Sequence, residues 1–364
     1  MERGIITYIV AFITGIVIAR FTNIYLYIAI LVSVALLLLL LFTKRYFNAR
    51  LFVIISHMAL LSMGVSHYLL VLPYNKINIT RDTAQIRDNL SIKLKCITES
   101  KKEHAVLSAI TLGSKSEIPG ELKKAYSNSG AMHILALSGL HIGIIYGIIS
   151  VTLSFLNFSY KAKRLKFLLS VIIICFYSYI TGFSPSVQRA GIMILVHNIA
   201  TLWNRPIRKY DIIAISAFII TVINPNQLFN IGFQLSFAAI LGIAVIYPIM
   251  DESIKLLYPD SKNKITNNLS ENKYIRKGVY AIWGMIAISV ACQITTMPFT
   301  IYYFGTSAPY FLLTNLAAIP IATAVLYVFL PAIFLSGTPI IGDFLGDLLV
   351  WLLKMLNGVV EFIG

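Results

Sequence analysis

The chain has 364 residues, of which 58% are hydrophobic and only 12% charged. Soluble domains carry roughly 25% charged residues, so with a mean hydropathy of +0.80 an ordinary soluble fold is excluded. Lys and Arg number 30 against 15 Asp and Glu, a formal charge of +15, which points either to an anionic partner or to basic loops that set membrane orientation.

Apolar runs of spanning length lie at about 4–19, 24–42, 51–72, 131–157, 166–181, 187–203, 211–223, 230–250, 279–302, 310–335 and 340–362. They predict an all-α polytopic membrane protein with about 10–11 transmembrane helices. The first run lacks a convincing cleavage site before the second begins, so it reads as a retained span rather than a signal peptide. Basic residues alternate between loops: Lys44, Arg45 and Arg50 after the second run, Lys161 to Lys166 after the fourth, Arg205 to Lys209 after the sixth, and six between Lys255 and Lys277. The connections at 182–188, 224–229 and 303–309 hold none. By the positive-inside rule the N-terminus is cytoplasmic, and 73–130 and the C-terminus lie outside.

Three regions follow: N-terminal transmembrane helices at 1–72, an external basic segment at 73–130 and a transmembrane core at 131–364. The external segment has ten Lys and Arg against six Asp and Glu, a surplus that topology does not require. Within it Leu90, Ile92, Leu94 and Cys96 alternate with polar positions, nearly the period of a half-buried strand, so short β structure is predicted over Asn89–Thr98. Glu121–Ser127 reads as a short helix.

The core opens on HILALSGLHIGIIYG, His133 to Gly147. If this stretch is one helix at roughly 100° per residue, Gly139, Gly143 and Gly147 form a small-residue packing row. His133, Ser138 and His141 form a polar stripe facing away from it. Interhelical hydrogen bonds would account for any one of these groups. Two imidazoles and a hydroxyl in one span point to a bundle interior or a wet path.

Further along, Thr181–Pro185 is a turn in which Ser184 can cap a helix starting at Pro185. Arg189 lies in that helix's first turn, against the dipole preference for acids there; it either attracts anions or snorkels to headgroups. Gln234 and Ser236 interrupt the run after Asn230 and Gly232, where a break is predicted. Gln293, Thr295 and Thr296 interrupt the next, and Asn315 the one after. The Pro-interrupted region from Met297 to Pro331 could hold a broken or re-entrant helix. Uncharged polar groups in several spans, with almost no buried acid, suit a polyanion better than a cation.

Absences narrow the chemistry. The sequence has no G-x-x-x-x-G-K-[ST] phosphate loop, and its six histidines form no H-x-H-x-D-H cluster. Cys96, Cys175 and Cys292 show neither a C-x-x-C pair nor metal spacing, and read as small hydrophobes. No metal or cofactor is expected.

HILALSGLHIGI, SPSVQRAGIM (Ser184–Met193), Asp211–Pro225 leading into NIGFQLSF (Asn230–Phe237), TTMPF and NLAAIP (Asn315–Pro320) occur in this order over about 107–320. Together they resemble the ComEC competence family, bacterial membrane proteins that pass single-stranded DNA through the cytoplasmic membrane. The resemblance implies a non-enzymatic DNA channel with path residues His133, Ser138, His141, Gln188, Arg189, Gln234, Ser236 and Asn315. It also implies single-stranded DNA, the lipid bilayer, a DNA receptor, a helicase-like motor ATPase and a separate nuclease as partners, and is compatible with a homo-oligomer. Family members carry an external module resembling an oligonucleotide-binding barrel; here 73–130 leaves room only for a shortened remnant. The metallo-β-lactamase-like domain that many members carry is not in this sequence, so it is either a separate protein or this is a shorter member.

Two other classes compete. Ser138, activated by His141 or His197, could serve an intramembrane serine hydrolase, although no third group orients the base. Breaks near Gly232 and Pro298 could serve a secondary transporter of a small solute.

Overall fold

Charge-free runs of Ile, Leu, Val and Phe can satisfy their backbone in lipid only as helices or closed barrels; here they form helices. The computed structural model describes residues 4–46, 49–71, 80–95, 98, 100–182, 184–257, 273–305, 310–335, 337–338 and 340–364. Among these are fourteen α-helices and no strand. Five helical stretches are long and apolar enough to cross a membrane: Gly4–Phe21, Ala49–Val71, Ile231–Ile254, Lys277–Phe304 and Phe311–Leu335. Leu26–Leu41 and Gly139–Thr152 are shorter apolar stretches. The chain is an all-α polytopic membrane protein. The other expected spans are helical too, but shorter or more polar. The helices form two compact units, one of 1–78 with 192–234 and one of 79–191 with 235–364.

The first unit is built on α1 (Gly4–Phe21), α2 (Leu26–Tyr46) and α3 (Ala49–Val71), joined by α10 (Lys209–Ile223). α1 and α3 cross at Gly15 and Gly64. A Cβ on Gly15 would run into the Leu61 carbonyl, and one on Gly64 into the Phe12 carbonyl. Backbone-to-backbone approach of this kind is the use of small residues in membrane helices, where lipid removes the hydrophobic drive to associate. Ser33 and Ser66 hydroxyls meet at 3.0 Å between α2 and α3. Such a bond averages about 0.6 kcal/mol in a membrane protein, so it sets register while the glycine crossing supplies the packing. Arg20 Nη1 donates to the Tyr68 hydroxyl at 3.2 Å and its guanidinium lies 5.6 Å from the Phe229 ring centroid. The last turns of α1 and α3 and the Pro225–Phe229 turn therefore share one end of this unit.

The second unit contains α4 (Thr80–Lys95), α5 (Lys101–Leu112), α6 (Gly120–Asn128), α7 (Gly139–Thr152), α8 (Tyr160–Ile180), the first turns of α9 (Pro185–Leu202), most of α11 (Ile231–Leu257), α12 (Lys273–Phe304), α13 (Phe311–Leu335) and α14 (Ile341–Ile363). The strand expected in 89–98 is instead the end of α4. Leu90 and Leu94 turn inward one helical turn apart, beside buried Ser91, whereas Ile92 is 61% exposed. A four-residue spacing hides inside a two-residue alternation, and helix formation won. Cys96 and Ile97 lie outside the described residues. α6 matches the expected short helix.

The described residues of the segment expected to be external do not form a unit of their own. Residues 103–112 of α5 are all buried and share one apolar core with α6, α13 and α14, through Leu107, Ile110, Leu122, Val325, Leu353 and Leu356 among others. Gly113, at φ +76°, ends α5 in the left-handed region. Polar clamps lie at the edges of this core. The Tyr126 hydroxyl donates to Asn357 Oδ1 at 2.9 Å, Thr314 Oγ1 to the Ser129 carbonyl at 2.7 Å, and the Tyr177 hydroxyl to the Thr111 carbonyl at 3.0 Å. These bonds gather α6, the start of α13 and the end of α14.

Pro248, Pro298, Pro320 and Pro331 lie inside continuous helices, so the broken or re-entrant helix expected between Met297 and Pro331 does not form among the described residues. α11 and α12 press together at Gly242, where a Cβ would meet the Ala291 carbonyl and Thr295. Cys175 is free and exposed rather than buried, and Cys292 is half-buried.

The glycine row of α7 is another correction. A Cβ on Gly143 or Gly147 would meet nothing within 4 Å among the described residues, and one on Gly139 would make only ordinary contact with the Ala190 Cβ at 3.6 Å. Gly64→Leu should therefore lower the folded membrane fraction severalfold, while Gly143→Leu should leave it near wild type, as measured by quantitative blots of membrane fractions and thermal shift in detergent.

Buried His104 accepts contacts from several directions: Ser91 Oγ at 3.1 Å and Ser108 Oγ at 3.4 Å from Nε2, and Thr98 Oγ1 at 3.3 Å from Nδ1. Burial pushes this imidazole below its ordinary 6.5, a shift that Glu117, 3.4 Å away, opposes and Lys95 reinforces. A histidine held neutral in the fold is protonated more readily when unfolded, so its contribution is complete above about pH 6.5 and is lost as pH falls below that. Thermal midpoints should accordingly drop as pH falls below about 6.5, and His104→Gln should flatten that drop.

Candidate functional site

The stretch expected to be one long helix is divided by its own hydrogen-bonding side chains. Ala131–His133 form a 3₁₀ turn after Gly130, which sits at φ +80°. An irregular step follows over 134–138, and α7 starts only at Gly139. Ser138, extended at φ −115° and ψ 167°, is the N-cap. Its hydroxyl receives the His141 backbone N–H, and His141 Nδ1 receives the Ser138 backbone N–H at 2.9 Å, a capping box with histidine in the usual Glu or Gln position. Ser138 Oγ also lies 2.8 Å from His141 Nδ1. Because Nδ1 accepts a backbone N–H, the ring proton of neutral His141 is on Nε2.

His133, Ser138 and His141 therefore do not form one helical stripe. His133 is exposed on its own turn, its Nδ1 2.9 Å from the Gly130 carbonyl. Ser138 and His141 come together as a cap, with His141 only 2% exposed.

The second helix start is α9. The Gln188 N–H donates to the Ser184 carbonyl at 3.0 Å, which makes Ser184 the residue from which the helix begins. Its hydroxyl does not cap: Ser184 Oγ is buried with no partner among the described residues. Gln188 is half-buried in the first turn. Arg189 is 3% exposed, and its Nε and Nη1 find no partner among the described residues. Snorkelling to headgroups is thereby ruled out as its conformation here.

The start of α7 reaches the second turn of α9. Gly139, the first residue of α7, faces Ala190, the residue after Arg189. Gly191 lies against α8, where a Cβ would come within 3.3 Å of Ile174. α13 packs on both α7 and the 131–133 turn. On α13 Asn315 is half-buried with Oδ1 unpartnered among the described residues, one position after the Thr314 that binds the Ser129 carbonyl. His133, Ser138, His141, Gln188, Arg189 and Asn315 thus all belong to helix starts or turns of one unit.

Gln234 and Ser236 lie at the start of α11. Gln234 Nε2 donates to the Leu228 carbonyl at 3.2 Å, closing the turn that precedes α11. Asn230 Oδ1 accepts the Gly232 N–H at 2.8 Å, so the predicted break near Gly232 is the start of α11. Ser236 is half-buried on that helix. Sequence reasoning named Ser184 as a cap and passed over it as a site; its orphaned hydroxyl is visible only in three dimensions.

A family profile described as "Competence protein" matches residues 110–364. ComE operon protein 3 of Bacillus subtilis (strain 168) is 27% identical over 199 residues, 55% of this chain and 22% of that protein. Uncharacterized protein YcaI of Escherichia coli (strain K12) is 24% identical over 268 residues, 70% of this chain and 33% of its own. An uncharacterized protein of Aquifex aeolicus (strain VF5) is 26% identical over 163 residues, 44% of this chain and 38% of its own. The chain thus covers well under half the length of each of these relatives. No solved structure matches it. Since the profile takes in more than two thirds of the sequence, including the α7 cap and the α9 arginine, the chain belongs to the competence protein family.

Proposed function

We propose that this protein passes single-stranded DNA across the bacterial cytoplasmic membrane during natural transformation. The observation that carries the reading is the competence-family match over 110–364, and the polar groups at the starts of α7, α9 and α13 support it. Those groups are hydroxyls, imidazoles, amides and a buried guanidinium, a set that favours a polyanion. On the family resemblance a separate motor supplies the work. A DNA receptor, a helicase-like ATPase and a separate nuclease complete the assembly on this reading.

The competing readings lose their footing in the geometry. Ser138 and His141 are occupied in capping α7, and the lone pair a base would use accepts a backbone N–H. Gly232 and Pro298, the proposed half-helix breaks of a solute transporter, lie in a helix start and inside a continuous helix.

The orientation places the N-terminus in the cytoplasm. Contacts within each unit support the loop-charge pattern: Arg20, Tyr68 and Phe229 meet at one end of the first unit, and Ser129, Thr314, Tyr126 and Asn357 at one end of the second. All of these lie next to segments that the pattern places outside. In a background lacking Cys96, Cys175 and Cys292, Ser114→Cys should react with an impermeant thiol reagent in intact cells and Lys163→Cys should not; labelling of Lys163→Cys alone inverts the topology.

Deleting the gene should abolish entry of labelled DNA into a nuclease-protected compartment and leave uptake of labelled small solutes unchanged. Undiminished DNA import in the deletion, or loss of a solute instead, would overturn the reading.

A further inference from the structure

Gly139, the first residue of α7, approaches Ala190 in the second turn of α9, and a helix start is the positive end of its dipole, with amides that have no partner inside the helix. Helical side chains lean toward the N-terminal turn, so Arg189, fifth in α9, leans back over the first turn of that helix. Arg189 Nε and Nη1 and Ser184 Oγ are all buried without a partner among the described residues. One buried unpaired cation is unfavourable to the fold unless an anion meets it. Here it lies one turn into a helix whose N-terminal dipole end has its own sign, and that end also carries the orphaned Ser184 hydroxyl, able to donate.

We infer that Arg189, Ser184 and the α9 N-terminus form an oxyanion site that takes one phosphoryl group. On the proposed uptake function, this group is a phosphodiester of the passing strand. A guanidinium offers two parallel N–H donors to a phosphate, and amides at a helix start suit the same ligand. Nothing in the arrangement reads a base, so the site holds backbone phosphates regardless of sequence. The Ser138–His141 cap acts indirectly, by fixing where α7 begins.

The test uses the full-length protein in detergent or nanodiscs with three probes: a fluorescent oligothymidylate, its uncharged methylphosphonate analogue, and inorganic phosphate as competitor. Wild type should bind the phosphodiester strand and not the methylphosphonate. Arg189→Gln should weaken binding roughly ten- to a hundredfold, the effect of one charge-assisted hydrogen bond, and reduce the salt dependence of log affinity by about 0.7, as for one lost contact to a single strand. Arg189→Lys should restore part of both, since a point charge survives without the fork. Ser184→Ala should lose roughly two- to tenfold with the salt slope unchanged.

Thermal stability separates a ligand site from a clamp. Removing an unpaired buried charge should leave the midpoint of Arg189→Gln unchanged or raise it. A lowered midpoint, failure of this variant to accumulate in the membrane, or unchanged affinity and salt slope would each overturn the site. If phosphate binds wild type but not Arg189→Gln and the strand does not bind at all, the oxyanion site stands and its assignment to DNA falls. If binding behaves as expected while cells lacking the protein import DNA normally, the uptake function fails and the site remains.

Discussion

Every helix begins with amides that its own turns cannot satisfy, and lipid supplies no water to meet them. This constraint arranges the polar residues of the chain more than any other. Ser159 accepts the Ala162 N–H at 3.2 Å to start α8. Asn224 accepts the Asn226 N–H at 3.0 Å to start the turn before α11, and Asn230 accepts the Gly232 N–H to start α11 itself. Ser138 and His141 do the same for α7 with two reciprocal bonds. Measured against these, α9 stands apart, because its Ser184 hydroxyl is buried at the helix start and caps nothing.

An N-cap serine contributes about 1 kcal/mol, so leaving one idle is a modest loss. A buried guanidinium without a partner is a larger one, several kcal/mol in typical proteins. Both occur in the opening turns of the same helix. Function and stability commonly compete at sites of this kind, and the surrounding packing has to hold the arrangement. Val187 is fully buried beside Arg189, and Gly191 lets α9 close on Ile174 of α8.

Much of this was legible in the sequence. Helical spans, the helix at Glu121–Ser127 and the family motifs can all be read from residue order, because apolarity and helix-start residues are local signals. What escaped depended on partners distant in sequence. The glycines of α7 carry the small-residue spacing, yet the close crossing is at Gly15 and Gly64, on α1 and α3, where each glycine faces a carbonyl of the other helix. Spacing shows that a close approach is permitted but cannot say which neighbour arrives. The misread strand at Leu90–Leu94 failed for a related reason: its alternation also contains a four-residue repeat, and burial against the α5 core selected the helix.

The stripe of His133, Ser138 and His141 shows how one local error changes a functional reading. Drawn on a continuous helical wheel, the three residues line a single face. The structure breaks the wheel at Ser138, because a serine followed three residues later by a histidine able to accept its N–H makes a better helix start than a helix interior. His133 then falls on a separate turn, and the polar character of the region shifts from the flank of one helix to the ends of several. A path lined along a helix would expose the strand to side chains at regular spacing. A path that meets helix starts would present amide dipoles and Arg189, which suits a sequence-independent hold on phosphate better than recognition along the strand.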